Sequence, residues 1–186
     1  MFLLIMKFNL PTKITLFRIF LVPILIVFLI SPALWSCLIA AAIFGVASIT
    51  DWLDGYLARK RNETTLLGEL LDPIADKLLI TAALIPLVEL DRVYAWIVVI
   101  IIGREIAISG LRMVAAANNV TISPSKLGKL KTVVEIVAIL FLILDFNFIF
   151  HVIGQVSIAF ATLLALVSGY HYFKSFWDKS KSIELT

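Results

Sequence analysis

Four aspartates, Asp51, Asp54, Asp72 and Asp76, fall in the stretch DWLDGYLARKRNETTLLGELLDPIADK, and the chain on either side is almost pure hydrocarbon. Asp51 and Asp54 are spaced i,i+3 and Asp72 and Asp76 i,i+4, so on helices each pair points to one face. The polar run between the pairs centres near Glu63, with Asp54 nine residues before it and Asp72 nine after. If two helices fold back on each other there, the carboxylates form two tiers at matching depths. The nearer tier lies within ~13 Å of the turn at ~1.5 Å per residue. Four ionised carboxylates converging in this way raise one another's pKa or bind cations. Oxygen-only donors favour Mg²⁺, Mn²⁺ or Ca²⁺, and no His or Cys lies nearby to suggest zinc. Such a set could hold two divalent ions in a shared site. Salt bridges from Asp51 or Asp54 to Arg59, and from Asp76 to Lys77 or a distant arginine, account for one or two carboxylates and leave the others unexplained.

The elements that must position these residues are membrane helices. Apolar residues make up 61% of the 186 positions, and mean hydropathy is +1.05, beyond the range of ordinary soluble domains. Spans of about 20 apolar residues are predicted at 14–31, 34–57, 69–88, 93–117, 132–149 and 152–173. The fold class is therefore an all-α integral membrane protein, a bundle of six transmembrane helices forming one domain over residues 1–186. The start, MFLLIMKFNLPTK, lacks the order of a signal peptide. It reads as a short interfacial helix broken at Pro11. Cys37, alone in the second span, is expected to behave as a small hydrophobe. Trp35, Tyr94, Trp96 and Trp177 fall near span ends, as interfacial aromatics do.

Twelve of the 16 Lys and Arg residues lie in the N-terminal region, the loops after spans 2 and 4, and the tail, whereas the opposite loops hold only Arg92. Positive residues mark the cytoplasmic side, which places both termini and the aspartates there, in a multi-pass protein of the cell membrane. Gly55 and Ala58 follow Asp51 at i+4 and i+7 on the same face, where missing side chains let another group approach the backbone. Gly68 reads as a turn glycine before span 3. Arg59, near the surface, is placed to meet a phosphate or to anchor the helix.

Taken together, the stretch reads D-x-x-D-G-x-x-A-R-x8-G-x-x-x-D-x-x-x-D. This resembles the signature of the CDP-alcohol phosphatidyltransferases at every fixed position: Asp51, Asp54, Gly55, Ala58, Arg59, Gly68, Asp72 and Asp76. The six-span layout, over nearly the whole chain, is also similar. The resemblance implies an enzyme in which an alcohol attacks the phosphate of a CDP-linked lipid and CMP is released. It implies that Asp51, Asp54 and Asp72 bind divalent metal, Mg²⁺ or Mn²⁺, with Asp76 near it and acting as general base. Asp51, Asp54, Gly55, Ala58, Arg59 and Gly68 would hold the CDP-lipid. A carboxylate base works best with a pKa raised toward neutrality, and a metal ligand is held ionised, so the two roles of Asp76 compete.

A second polar set interrupts span 4 in IIGREIAISGLRMVAAANNV. Arg104 and Arg112 are two turns apart on similar faces, and intramembrane arginines face a cavity or a partner. Glu105 is placed to offset one of them. Lys129 and Lys131 follow at the predicted start of span 5. Such cations would gather a phosphate on the acceptor alcohol. The runs GREIAISGLR and KLGKLKT, and the start NLPTKITLFRI, are similar to the phosphatidylglycerophosphate synthases of the family, with Thr12 where an Asn is more usual. That resemblance implies CDP-diacylglycerol and glycerol 3-phosphate as substrates, with Arg104, Arg112, Lys129 and Lys131 at the acceptor phosphate. Membrane lipids are expected neighbours, a homodimer is in keeping with the family, and no nucleic-acid partner is expected.

Inositol phosphate is the nearest rival acceptor. From another class, a divalent-cation transporter would also carry intramembrane carboxylates, but near the midplane and between repeats. Here the cluster hugs one face and no repeat is visible. A structural protein that merely binds metal is the third reading.

Overall fold

The structure is a computed structural model. It describes residues 10–61, 66–117 and 126–184, with side chains described for 12–51, 68, 71–117 and 127–178. Six helices follow in chain order: α1 Leu10–Leu29, α2 Leu34–Arg61, α3 Leu66–Glu89, α4 Ala95–Ala117, α5 Lys126–Ile143 and α6 Phe148–Glu184. Among the described residues every regular element is helical. The predicted interfacial helix lies outside them, except that Pro11 sits in the first turn of α1, where a missing N–H costs nothing.

The chain is an all-α membrane bundle. α1, α2 and α6 are long and apolar enough to cross a membrane by length and composition. α3, α4 and α5 carry the charged residues discussed below, among which Arg104, Glu105, Lys131 and Glu135 pair with one another inside the bundle. α6 has 37 residues, about 55 Å at ~1.5 Å each, so it outruns a hydrocarbon layer of about 30 Å. The outward face is apolar, with Phe20, Val99 and Phe148 exposed, as a lipid-facing surface requires.

α1 packs against both α2 and α3, while α2 and α3 touch each other over a smaller surface. The expected two-helix arrangement of carboxylates is therefore a three-helix one, with α1 between. α5 packs closely on α6, which also packs on α4. The core is built from large aliphatics such as Leu25, Leu84, Ile101 and Ile139, and from alanines such as Ala40, Ala83, Ala138 and Ala161. Small residues let membrane helices approach closely. At Gly154 an added Cβ would lie 2.9 Å from Leu142 Cδ2, so only glycine suits this α5–α6 contact.

The end of the bundle opposite the aspartate turn is fastened by Arg92. α3 closes with Asp91 in the left-handed region (φ 56°). Asp91 N donates to Val88 O and Arg92 N to Leu87 O, a Schellman closure without glycine. Arg92 then reaches α5, donating to Ile143 O at 2.8 Å and Leu142 O at 3.3 Å, carbonyls that the helix end leaves open. It also faces Asp145 at 3.9 Å. Cys37, buried, accepts from the same guanidinium at 3.4 Å. Asn147 caps α6, its Oδ1 accepting from Phe150 N at 3.0 Å. Asp145 and Asn147 are the reason that span 5 ends at Ile143 and not at 149: both favour turn and cap positions over a helix interior. Its start moves equally, from 132 to Lys126, which puts Lys131 inside the helix.

Candidate active site

On α1, Thr12, Thr15 and Arg18 share a polar stripe at i, i+3 and i+6, and all three are buried. Arg18, with 0% of its side chain exposed, forms an ion pair and hydrogen bond with Asp51 of α2. The same guanidinium lies 3.7 Å from Asp72 Oδ1 of α3. That Asp72 oxygen is buried and accepts no hydrogen bond among the described residues. A carboxylate oxygen shielded from water and lacking a donor is suited to a cation.

The aspartates form one wall of a cleft of about 240 Å³. Asp51, Asp72 and Asp76 lie on this wall, and Arg104, Glu105 and Arg112 of α4 on the other. One wall is thus mainly acidic, with Lys77 beside the aspartates, and the other mainly basic. The basic wall is braced from behind. Arg104 Nη1 donates to Glu105 Oε1 at 2.7 Å, Nη2 to Ser168 Oγ at 2.9 Å and Nε to Ala165 O at 3.2 Å. Arg112 lies over the ring of Tyr172, 5.5 Å from its centroid. Lys131 donates to Glu105 Oε1 at 2.6 Å and forms a second ion pair with Glu135, one turn along α5. Lys131 and Glu135 are only 3% and 2% exposed, so this is a charge chain withdrawn from solvent.

A family model described as CDP-alcohol phosphatidyltransferase matches residues 8–167. A Bacillus subtilis protein is 41% identical over 94% of this chain and 98% of its own length. The chain belongs to the CDP-alcohol phosphatidyltransferase family. Similar relatives occur in Wigglesworthia glossinidia brevipalpis, 40% identical over 92% of this chain and 97% of the relative, and in Salmonella choleraesuis, 38% identical over 90% and 94%. All three relatives bear the name CDP-diacylglycerol–glycerol-3-phosphate 3-phosphatidyltransferase. The motif resemblance is thereby borne out.

The donor set of this phosphatidyltransferase suits the divalent metal on which the family generally depends. The carboxylates supply hard oxygen ligands, and among the described residues Asp72 Oδ1 accepts no hydrogen bond. Among the described residues no three carboxylates by themselves make a metal cluster. Asp54, in line with Asp51 one turn along α2, has its side chain outside the described residues. The side chains of Ala58 and Arg59, and the surroundings of Gly55, also lie outside them, although α2 carries all these positions.

Gly68 is placed inside the first turn of α3 and not in a loop before it, because Leu66 and Leu67 already begin the helix. Lys129 is exposed on α5 and Lys131 buried; neither is among the described residues of the cleft. Glu135 meets Lys131 on its own helix and not a cation across the bundle. His151 contacts Asp145 at the far end of the molecule, at 3.0 Å. Sequence reasoning used Arg18 only as a mark of orientation and gave Ser168 and Tyr172 no part. For Arg18 a signal existed: a polar stripe of Thr12, Thr15 and Arg18 along an otherwise apolar helix. Ser168 and Tyr172 carried none until α4 was packed against α6.

Proposed function

We propose that this phosphatidyltransferase moves the phosphatidyl group from CDP-diacylglycerol to sn-glycerol 3-phosphate, giving phosphatidylglycerophosphate and CMP. The observation that carries the reading is the single cleft bounded by Asp51, Asp72 and Asp76 on one side and Arg104 and Arg112 on the other. A pyrophosphate donor and a phosphorylated acceptor need two subsites of this kind, side by side. The names of the relatives favour glycerol 3-phosphate over inositol phosphate, and the family is one of group-transfer enzymes, which sets the transporter alternative aside.

In this reading Asp51, Asp54 and Asp72, with Asp76, hold divalent cations, Mg²⁺ or Mn²⁺, two to a site. When bound, such ions neutralise the pyrophosphate and stabilise the departing CMP. Gly55, Ala58 and Gly68 leave room for the cytidine diphosphate, and Arg59 meets its phosphates. Arg104 and Arg112 bind the acceptor's phosphate by charge-assisted hydrogen bonds. They thereby hold its free hydroxyl near the lipid-bearing phosphorus. Asp76 takes the hydroxyl proton as the new oxygen–phosphorus bond forms and the bond to the bridging oxygen of CMP breaks. Lys131 serves the acceptor side through Glu105, which it shares with Arg104. Lys129, in solvent, draws anions toward the cleft. In this reading the cleft faces the cytoplasmic side of the cell membrane, a side that the basic residues after α2 and at both termini favour, where the soluble acceptor and the lipid are both at hand.

The test is transfer of labelled glycerol 3-phosphate into lipid by purified protein given CDP-diacylglycerol and Mg²⁺ or Mn²⁺, with EDTA as control. Metal-dependent labelled lipid is expected. Folded protein that labels lipid only from inositol phosphate would keep the chemistry and replace the acceptor.

A further inference from the structure

The cleft sets three described aspartates opposite two arginines, and opposite charges that share a cleft attract. Both arginines have long flexible stems. Left alone they would fold across and pair with Asp51, Asp72 or Asp76, closing the space that substrates need. Among the described residues neither Arg104 nor Arg112 pairs with any of those aspartates.

What holds them back is one face of α6. Ala165, Ser168, Gly169 and Tyr172 are spaced i, i+3, i+4 and i+7, so they line one side of the helix. Ala165 O accepts from Arg104 Nε. Ser168, buried, donates its hydroxyl proton to Ala165 O at 3.2 Å and accepts from Arg104 Nη2 at 2.9 Å. Its single hydrogen is thereby committed to α6 and its lone pair is left for the guanidinium. At Gly169 an added Cβ would stand 3.4 Å from Arg104 Cγ, so the arginine stem lies directly along this glycine. One turn on, the ring of Tyr172 supports the Arg112 guanidinium at 5.5 Å, a cation–π contact that fixes the cation by its face and leaves its N–H edges available.

We propose that Ser168, Gly169 and Tyr172 are positioning residues that hold Arg104 and Arg112 apart from the aspartate wall and so preorganise the site for the acceptor's phosphate. This rests on the assignment of those arginines to the acceptor. A preset site saves the ordering cost of binding, so loosening it weakens the acceptor and not the CDP-lipid.

The experiment is steady-state transfer by the full chain in detergent or vesicles, with glycerol 3-phosphate and CDP-diacylglycerol each varied at saturating partner. Parent, Arg112→Ala, Tyr172→Leu, Tyr172→Phe and Ser168→Ala are compared, each with a thermal melt. Tyr172→Leu is expected to raise the KM for glycerol 3-phosphate about fivefold, with the KM for CDP-diacylglycerol within about twofold of the parent. Tyr172→Phe, which keeps the ring, stays near the parent. Ser168→Ala raises the acceptor KM about threefold or more. Equal losses in Tyr172→Leu and Tyr172→Phe, or equal shifts of both KM values, would overturn the inference. If Arg112→Ala raises the acceptor KM while Tyr172→Leu and Ser168→Ala do not, α6 has no such role and the acceptor site stands. If Arg112→Ala leaves it unchanged, the acceptor assignment itself fails, and this inference with it.

Discussion

The guanidinium of Arg18 lies between the carboxylates of Asp51 and Asp72, paired to the first and 3.7 Å from the second, with its own side chain wholly withdrawn from solvent. Three helices meet at this one cation. It offsets the repulsion that two neighbouring carboxylates would otherwise exert in the absence of metal, and among the described residues Asp72 Oδ1 accepts no hydrogen bond.

Removing this charge has a specific expected outcome. Arg18→Ala should destabilise the protein by about 2 kcal/mol, less than for a fully buried pair because Asp51 and Asp72 are themselves partly exposed. The aspartates of the variant then repel with one counter-ion fewer. A divalent cation takes over part of that duty, so Mg²⁺ or Mn²⁺ should raise the melting temperature of Arg18→Ala more than that of the parent. Thermal melts with and without metal check this. Equal metal-induced shifts would show that Arg18 does not share in balancing the site.

Asp76→Asn keeps the shape of the side chain and removes its capacity to accept a proton from the acceptor. Loss of about 10²–10⁴-fold in turnover is expected, with the melt little changed. The measurement is labelled-product formation at saturating substrates. Turnover within a few-fold of the parent would take the base role away from Asp76.

Lys131 sits between Glu105 and Glu135, and its truncation would leave the buried Glu135 carboxylate uncompensated and Glu105 with Arg104 alone. Lys131→Met is expected to cost about 3 kcal/mol. Adding Glu135→Gln, which removes one of those charges, should recover part of the loss, and a double-mutant cycle by thermal or chemical melt reads the coupling. A lysine that instead bound the acceptor's phosphate directly would, on truncation, raise the acceptor KM and leave stability nearly untouched.

The shared face of Asp72 and Asp76 was legible in the sequence because i,i+4 spacing carries its own geometry, and so was the common side of Arg104 and Arg112 on span 4. The three-helix character of the acidic wall was not. Arg18 is 33 positions from Asp51, and pairing over that distance depends on how α1 slots between α2 and α3. The end of α5 was misplaced for a different reason: the run after Ile143 is apolar enough to continue a span, and only Asp145 and Asn147 reveal a turn. Lys131 changed its surroundings as a consequence, since a start at Lys126 carries it away from the surface and against Glu105.

The far end of the bundle gives a contrasting case. Arg92 serves the open carbonyls of Leu142 and Ile143 and faces Asp145, and its own carbonyl accepts from Gln155 Nε2 at 2.8 Å. These contacts join the α3–α4 turn to the α5–α6 turn, and none of the partners lines the cleft. Arg92→Ala leaves buried acceptors unsatisfied and should cost about 1–3 kcal/mol. Because the lost contacts lie at the other end of the helices, KM values for both substrates should stay within about twofold at a temperature where the variant is folded. A large, selective change in either KM would mean that the two ends of the bundle are mechanically coupled, and that the turn at Asp91 helps to set the spacing of α3 and α4 across the cleft.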